Sequence, residues 1–268
     1  MNGKRRGLFL LLLSTILLLL SFLFLPYFSR DRALMALRIY DRYQEKDSVA
    51  DALGMEISFP LESMRLFPLL STYNDHEGIS ELLSRKVRFT VEYSFGDFVR
   101  DRGCSRIYLR DDPLYNAYAG VYLVRGFGES LREEELLRIT GYDLQELALP
   151  SVGLTASQST FLINDQRLHE EKMSFAGFTW TVCSSSLVTN GPEHAFREFS
   201  PGDIQFGRSP EVTEDYPLVP MEGRIYHTYL SHLDLNLALF ILARNEQVLL
   251  SLEKEMISEM TITFSPEE

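Results

Sequence analysis

The chain has 268 residues, of which 45% are hydrophobic and 12% aromatic, enough to bury a core and to exclude a disordered tail. Its net charge is −12 at pH 7, and Lys4, Arg5 and Arg6 are the only charged residues before Phe28, so the remainder is more acidic still. Because such a surface repels phosphate groups, the composition argues against nucleic acid as a partner.

The first element is an apolar segment. Leu8–Leu25 contains no charge, and eighteen helical residues span about 27 Å, close to the thickness of a hydrocarbon core. The pattern predicts a transmembrane signal anchor at 8–28, with residues 1–7 in the cytoplasm because the basic residues precede the segment. A cleavable signal peptide is the alternative, but no small-residue cleavage pattern follows the apolar block. We therefore predict a single-pass protein of the cell membrane with its C-terminal domain outside the cytoplasm.

Residues 29–54 are predicted to form a membrane-proximal helical stalk that ends at Gly54. One stripe of this helix carries Ala36, Ile39, Tyr40 and Tyr43. For this stripe a stalk or packing role is favoured over binding of a partner.

The first half of the following domain reads mainly as strands. Strict alternation predicts strands at Met55–Phe59 and Val87–Phe95, the second with a solvated charged face. A short helix is predicted at Ile79–Ser84. Ser105–Arg110 and Leu114–Arg125 flank a turn sequence and are predicted to pair as a hairpin, with the second strand central.

The second half adds helices and further strands. A capping box at Ser130–Glu133 predicts a helix that Gly141 closes, and Pro150–Ser157 reads as a loop. Trp180 is assigned to the core. The remaining predicted elements are strands Ser159–Asn164, Met173–Leu187, Arg224–Leu233 and Leu237–Ala243, helix Glu246–Met260 and strand Thr261–Phe264.

Residues 190–223 differ from their surroundings. They hold five of the eleven prolines and keep no hydrophobic period, which predicts either a functional loop or a flexible segment. Hairpins dominate the order of elements. The predicted fold is therefore α+β, with a mostly antiparallel sheet, helices packed on one face, and a domain covering 55–268.

Two serine patterns are candidates for catalysis. Ser251 and Lys254 match the S-x-x-K spacing of penicillin-recognising enzymes, but the companion motifs are absent and one such match is near chance frequency. Ser184, Ser185 and Ser186 could form a triad with His194 and Asp203 only through tertiary folding. No serine lies on a nucleophile elbow, so no catalytic residue is assigned.

Metal and nucleotide sites are disfavoured. His169-Glu170-Glu171 lacks a second histidine, and His227 and His232 would point to opposite faces of a strand. Gly126-Phe-Gly128 is too short for a phosphate-binding loop. The sequence therefore predicts neither a cofactor nor a metal site.

Cysteine and tyrosine residues leave two alternatives each. Cys104 and Cys183 could form a disulfide or stay as separate buried thiols, and the second reading is slightly favoured. Packing within the sheet is favoured over a recognition surface for a group of tyrosines. This group comprises Tyr108, Tyr115, Tyr118, Tyr122, Tyr226 and Tyr229.

The favoured function is a membrane-anchored extracytoplasmic interaction or sensory module without catalytic activity. Its expected partners are the membrane, through the N-terminal helix, and another envelope protein. The alternatives are a cell-envelope hydrolase that uses residues near 184–203 and a structural subunit of a membrane assembly.

Overall fold

The structure is a computed structural model that describes residues 3–24, 29–58, 72–94, 110–148, 158–191 and 216–265. The helices are α1 Gly3–Phe24, α2 Ser29–Lys46, α3 His76–Leu83, α4 Glu133–Tyr142 and α5 Glu246–Glu259. The strands are β1 Met55–Ser58, β2 Thr72–Asn74, β3 Arg88–Ser94, β4 Tyr118–Arg125, β5 Phe161–Leu168, β6 Met173–Phe175, β7 Phe178–Asn190, β8 Leu218–Leu230, β9 Leu235–Ala243 and β10 Thr261–Phe264. The predicted loop Pro150–Ser157 lies outside the described residues.

All described strand pairs are antiparallel, which confirms the α+β class. Seven strands follow one another in the order β2-β3-β4-β9-β8-β7-β5, and β6 pairs with β7. β1 and β10 form a separate two-stranded sheet in which Met55 opposes Phe264.

The predicted membrane anchor falls on α1. In the described part of the chain no helix has the length together with the apolarity that crossing a membrane requires, so the transmembrane helix predicted at 8–28 is not found there.

The predicted stalk is a helix fixed to the sheet along one side. The buried carboxylate of Asp41 accepts a hydrogen bond from the backbone N–H of Thr72 at 2.9 Å, and Gln44 bonds Asn74 of β2. α2 ends at Lys46, and Gly54 follows a short 3-10 turn with φ of 57°, a conformation that glycine adopts without strain. The helix itself thus ends before Gly54, and the stalk role of residues 29–54 stays a prediction.

The main sheet is covered on both faces, so the prediction that helices pack on one face is wrong. All nine residues of β9 are buried. Leu237, Leu239 and Ile241 pack with α5, whereas Phe240 and Leu242 pack with α3 and α4. The continuous apolar run of β9 is the pattern of a strand buried on both faces.

The β3 and β4 region differs from prediction in its pairing. β3 forms where expected, but Thr90 is fully buried, so the predicted solvated face is partly covered. β4 is central as expected, and it pairs with β3 on one edge and β9 on the other. Both edges of Tyr118–Arg125 are therefore occupied, so the predicted hairpin between this strand and residues 105–110 cannot form. Residues 105–109 themselves lie outside the described residues.

Helix α4 begins and ends later than its sequence signals indicate. Its cap is Arg132, whose backbone N–H donates to Glu135 at 2.7 Å, so the predicted box at Ser130–Glu133 is two residues too early. Gly141 does not close the helix. The chain continues to Tyr142 and then into a π-helical turn, Asp143–Ala148.

The predicted irregular region 190–223 is shorter than expected. β8 begins at Leu218, opposite Asn190 of β7, so residues 218–223 belong to a strand; residues 192–215 lie outside the described ones. Pro217 and Pro220 interrupted the sequence pattern, yet Val219 and Met221 alternate into the core. Trp180 is fully buried, which confirms its core assignment.

Candidate functional site

The three consecutive serines of β7 divide between the two faces of the sheet. Alternation along the strand places Ser184 and Ser186 on the face of Trp180 and Val182, beneath α5. Ser185 lies on the opposite face and is buried against Gly223, where a Cβ atom would come within 2.8 Å of the serine oxygen. The three serines therefore cannot act as one cluster.

Ser184 contacts a histidine that the sequence did not connect with it. Ser184 Oγ and His169 Nε2 are 2.7 Å apart, a hydrogen bond whose direction depends on the imidazole tautomer. The backbone N–H of His169 donates to the carbonyl of Val182 at 2.9 Å, which fixes the residue beside β7. The predicted partners His194 and Asp203 lie outside the described residues.

A buried ion pair lies beside Ser184. Arg224 is the cross-strand neighbour of Ser184, and its guanidinium donates to the carboxylate of Glu253 on α5. The hydroxyl of Tyr226 donates to the other Glu253 oxygen at 2.5 Å. Burial and the nearby Glu253 carboxylate raise the pKa of Tyr226. This network holds α5 against β8.

The Ser184–His169 pair has two of the three parts of a catalytic triad. A histidine within hydrogen-bond distance of a serine can act as its general base. In the described part of the chain, however, no carboxylate bonds the second imidazole nitrogen of His169. The structure also disfavours Ser251 as a nucleophile, because Ser251 and Lys254 are both exposed on the surface of α5.

An apolar row, exposed on its two outer strands and half-buried on the middle one, crosses three strands on one face of the sheet. Leu162 of β5, Val188 of β7 and Pro220 of β8 stand in direct register. Leu162 is 58% exposed and Leu218, two residues before Pro220, is 59% exposed. β9 ends at Ala243, opposite Glu222, so the row projects past the end of that strand. We call Leu162, Val188, Leu218 and Pro220 the apolar row.

A second exposed apolar surface lies on α2. Met35, Ile39, Tyr40 and Tyr43 fall within an arc of about 140° on an ideal helix. Ile39 is 66% exposed and Tyr43 70% exposed. Of the two roles predicted for this stripe, stalk or packing, packing against the sheet is not observed, since the side of α2 that contacts the sheet carries Asp41 and Gln44 instead.

One cavity of about 280 Å³ lies where α2, β1, β2 and β3 meet. Four carboxylate residues are part of its lining: Glu45, Asp51, Glu56 and Glu92. Among the described residues, no group of three or more histidine, cysteine, aspartate or glutamate side chains is arranged to hold a metal ion.

A buried carboxylate joins the π-helical turn to the sheet. Asp143 is fully buried, and the hydroxyls of Tyr93 and Tyr122 donate to its two oxygens, the second at 2.7 Å. Burial raises the pKa of Asp143 to about 7, while the two hydroxyl donors act in the opposite direction. The ring of Tyr122 stacks on Phe240 at 4.5 Å.

The remaining sequence candidates are structural. Tyr115, Tyr118, Tyr122 and Tyr226 are buried, which confirms packing for these four; Tyr229 is half-buried and Tyr108 lies outside the described residues. His227 lies 2.9 Å from the amide oxygen of Asn236, and burial lowers its pKa, whereas His232 is exposed.

Cys183 is a free thiol, and it donates to Glu133 at 3.0 Å. The desolvation of this thiol, together with Glu133, raises its pKa to about 12. Cys104 lies outside the described residues.

Comparison with known proteins does not assign a function to these residues. No protein-family model matches the sequence, and no curated protein is significantly similar to it. One solved structure that is similar is that of LpqN, described as involved in cell envelope biogenesis of Mycobacterium tuberculosis. It shares 11% identity, with 81% of this chain and 97% of that chain covered, and the TM-score is 0.25. A likeness at this level carries no argument about function.

Proposed function

We propose that this protein is a membrane-associated interaction module that works outside the cytoplasm and has no catalytic activity of its own. The observation that carries the proposal is the apolar row. Single exposed apolar residues are ordinary on a protein surface, whereas contiguous ones indicate a contact surface. Three residues in direct register on adjacent strands are contiguous, because neighbouring strands lie about 4.8 Å apart.

The partner that we propose is another envelope protein with an apolar contact surface. At this end of the sheet Leu162 and Leu218 each expose more than half of their surface. Glu222, two residues beyond Pro220 on the same face of β8, places a carboxylate beside the row, and the chain as a whole has a net charge of −12. An apolar centre with a charged surround is typical of protein–protein contacts in which the rim remains solvated.

A cross-linking experiment in the native host tests this contact. A photo-reactive phenylalanine analogue at Leu162 or Leu218 should give one discrete adduct with an envelope protein. The same analogue at Lys254, which is exposed on α5, serves as the control and should give none. The adduct formed from position 162 should disappear when Leu218 is replaced by Asp. Identical adducts from all three positions would contradict a specific contact at the row.

The yield of this adduct also separates two functions. A regulatory or sensory contact should form with a fraction of the molecules and depend on conditions. A stable one-to-one complex that survives solubilisation would instead assign the chain to a membrane assembly as a structural subunit.

The proposed location rests on the sequence of the N-terminal segment. Leu8–Leu25 carries no charge and follows Lys4-Arg5-Arg6, an asymmetry typical of membrane-associated segments with the basic side in the cytoplasm. Protease added outside intact cells should digest the domain at 55–268, and the protein should sediment with membranes after an alkaline wash. Protection of the domain would reverse the proposed orientation, and release of a shortened soluble form would show cleavage.

A second candidate function is a serine hydrolase centred on Ser184. The 2.7 Å contact between Ser184 and His169 is the observation that favours it. The test is covalent labelling with a fluorophosphonate probe, with Ser184→Ala and His169→Gln as paired variants and Ser186→Ala as the control. Labelling that Ser184→Ala abolishes and His169→Gln strongly reduces would establish the hydrolase. We expect no labelling above that of the unfolded chain.

A further inference from the structure

The charge of the chain is distributed unevenly along its length. α2 carries five basic and three acidic residues, whereas the chain as a whole has a net charge of −12. Arg42 and Lys46 are exposed, and on an ideal helix both lie within about 30° of Met35, next to Ile39. The exposed apolar face of α2 is therefore bordered by positive charge in an otherwise acidic protein.

The orientation of α2 leaves this face free of the domain. Asp41 and Gln44 are held by β2 through Thr72 and Asn74, which fixes the rotation of the helix about its axis. With that side turned to the sheet, Met35, Ile39 and Tyr43 turn away from it, and all three are more than half exposed. The exposure is thus a consequence of specific hydrogen bonds.

Position along the chain indicates what covers this face. α2 follows the apolar segment Leu8–Leu25 after only a few residues, so any membrane that this segment enters lies beside α2. A helix with an apolar and aromatic face bordered by Arg and Lys is the kind that lies in the interface of an anionic bilayer. Tyrosine is favoured at the level of the head groups because its ring is apolar and its hydroxyl is polar.

We propose that α2 lies on the surface of an anionic membrane, with Met35, Ile39, Tyr40 and Tyr43 at head-group depth and Arg42 and Lys46 against lipid phosphates. This goes beyond the proposed function, which assigns a protein partner to the apolar row and membrane association to residues 8–25. Docked in this way, α2 holds the domain close to the bilayer in one orientation instead of extending it as a stalk.

The test places a tryptophan on the proposed face of the full-length chain. Tyr43→Trp is compared with Leu250→Trp, which replaces another exposed apolar residue on α5, and with the unchanged chain, whose single tryptophan, Trp180, is fully buried. The vesicles contain lipids with brominated acyl chains, either with phosphatidylglycerol or with phosphatidylcholine alone. Sedimentation of the vesicles reports membrane association separately from quenching at position 43.

The expected result is a blue shift and strong quenching of the added emission for Tyr43→Trp in anionic vesicles. Little change is expected for Leu250→Trp or for the unchanged chain. Because each basic residue near an anionic surface raises the membrane affinity roughly fivefold, Arg42→Glu combined with Lys46→Glu should remove most of the quenching.

Four outcomes would overturn the proposal. Sedimentation without quenching at position 43 would show attachment by residues 8–25 alone, with α2 standing away from the bilayer. Equal quenching in phosphatidylcholine would exclude an anionic surface as the determinant. A blue shift that appears without lipid and grows with protein concentration would assign the face to a second copy of the chain. Failure to sediment at all would refute membrane association as well.

Discussion

The ionisation of Asp143 is coupled to folding in the acidic to neutral pH range. Its pKa in the folded protein is about 7, against an ordinary value of 3.8, because the carboxylate is desolvated. The folded state therefore binds this proton more tightly than the unfolded state. The contribution of Asp143 to stability is greatest below pH 4, falls as the pH rises to 7, and is constant above that.

The first prediction follows from this sign. The free energy of unfolding of the unchanged protein should contain a decrease of up to roughly 4 kcal/mol between pH 4 and pH 7 that Asp143→Asn removes. Asparagine can still accept from one of the two tyrosines, so the loss of the other bond shifts stability by an amount independent of pH. Denaturant titrations of both forms at several pH values provide the measurement. Parallel pH curves for the two forms would contradict the assignment.

Cys183 gives the second prediction. A pKa of about 12, against an ordinary 9.0, leaves roughly a thousandfold less thiolate at pH 8 than an exposed cysteine has. Iodoacetamide should therefore modify Cys183 only after unfolding, which peptide mapping can separate from modification of Cys104. Glu133→Gln removes the neighbouring carboxylate, so it should accelerate the reaction in the folded protein. Rapid alkylation of Cys183 in the unchanged protein would contradict the buried hydrogen bond.

Between elements, the contact of α5 with β8 includes a buried ion pair. The side chains of Arg224 and Glu253 are only 14% and 9% exposed, so removing one partner leaves the other charge buried and uncompensated. Glu253→Gln should cost about 3–5 kcal/mol of stability. Replacing Arg224 by Met together with Glu253 by Leu should cost less, about 1–3 kcal/mol, because only the buried Tyr226 hydroxyl then loses its acceptor. Chemical denaturation of the single and double variants measures both values. Equal losses in the two variants would show that packing outweighs the charge.

Elements were predictable wherever their signal was local. Alternation located β1 and β3, and α5 lies within one residue of its predicted ends. Proline obscured β8, because Pro217 and Pro220 suggest a loop although the strand continues through the second of them. Pro220 is tolerated where β8 has passed the end of β9 and so has no described neighbour on that side.

Features that depend on pairing were not predictable in the same way. The Ser184–His169 contact arises because the turn after β5 brings His169 beside β7, and the sequence does not contain that register. The apolar residues on the exposed face of α2 have a helical spacing that would also suit packing against the sheet. Only the hydrogen bonds of Asp41 and Gln44 to β2 decide which side of the helix turns inward.

At the scale of the whole molecule, β9 joins two cores. Leu239 and Ile241 pack beneath α5 with Trp180, whereas Phe240 and Leu242 pack with α3 and α4 on the other side. Because β9 is buried on both faces, lost packing on either face destabilises the same strand and its hydrogen bonds to β4 and β8. The domain should therefore unfold as one cooperative unit, with its two cores failing together.

The last prediction tests this coupling with a probe in one core and a substitution in the other. Ile139 is fully buried on α4, and Trp180 is fully buried in the opposite core, so Ile139→Ala leaves every contact of the indole unchanged. Removal of the Ile139 side chain should cost about 2–5 kcal/mol. If β9 couples the cores, the denaturation midpoint reported by Trp180 fluorescence should fall by the same amount as that reported by far-ultraviolet circular dichroism. An unchanged fluorescence midpoint beside a lowered dichroism midpoint would show two independently folding layers, with β9 remaining in the layer that contains Trp180.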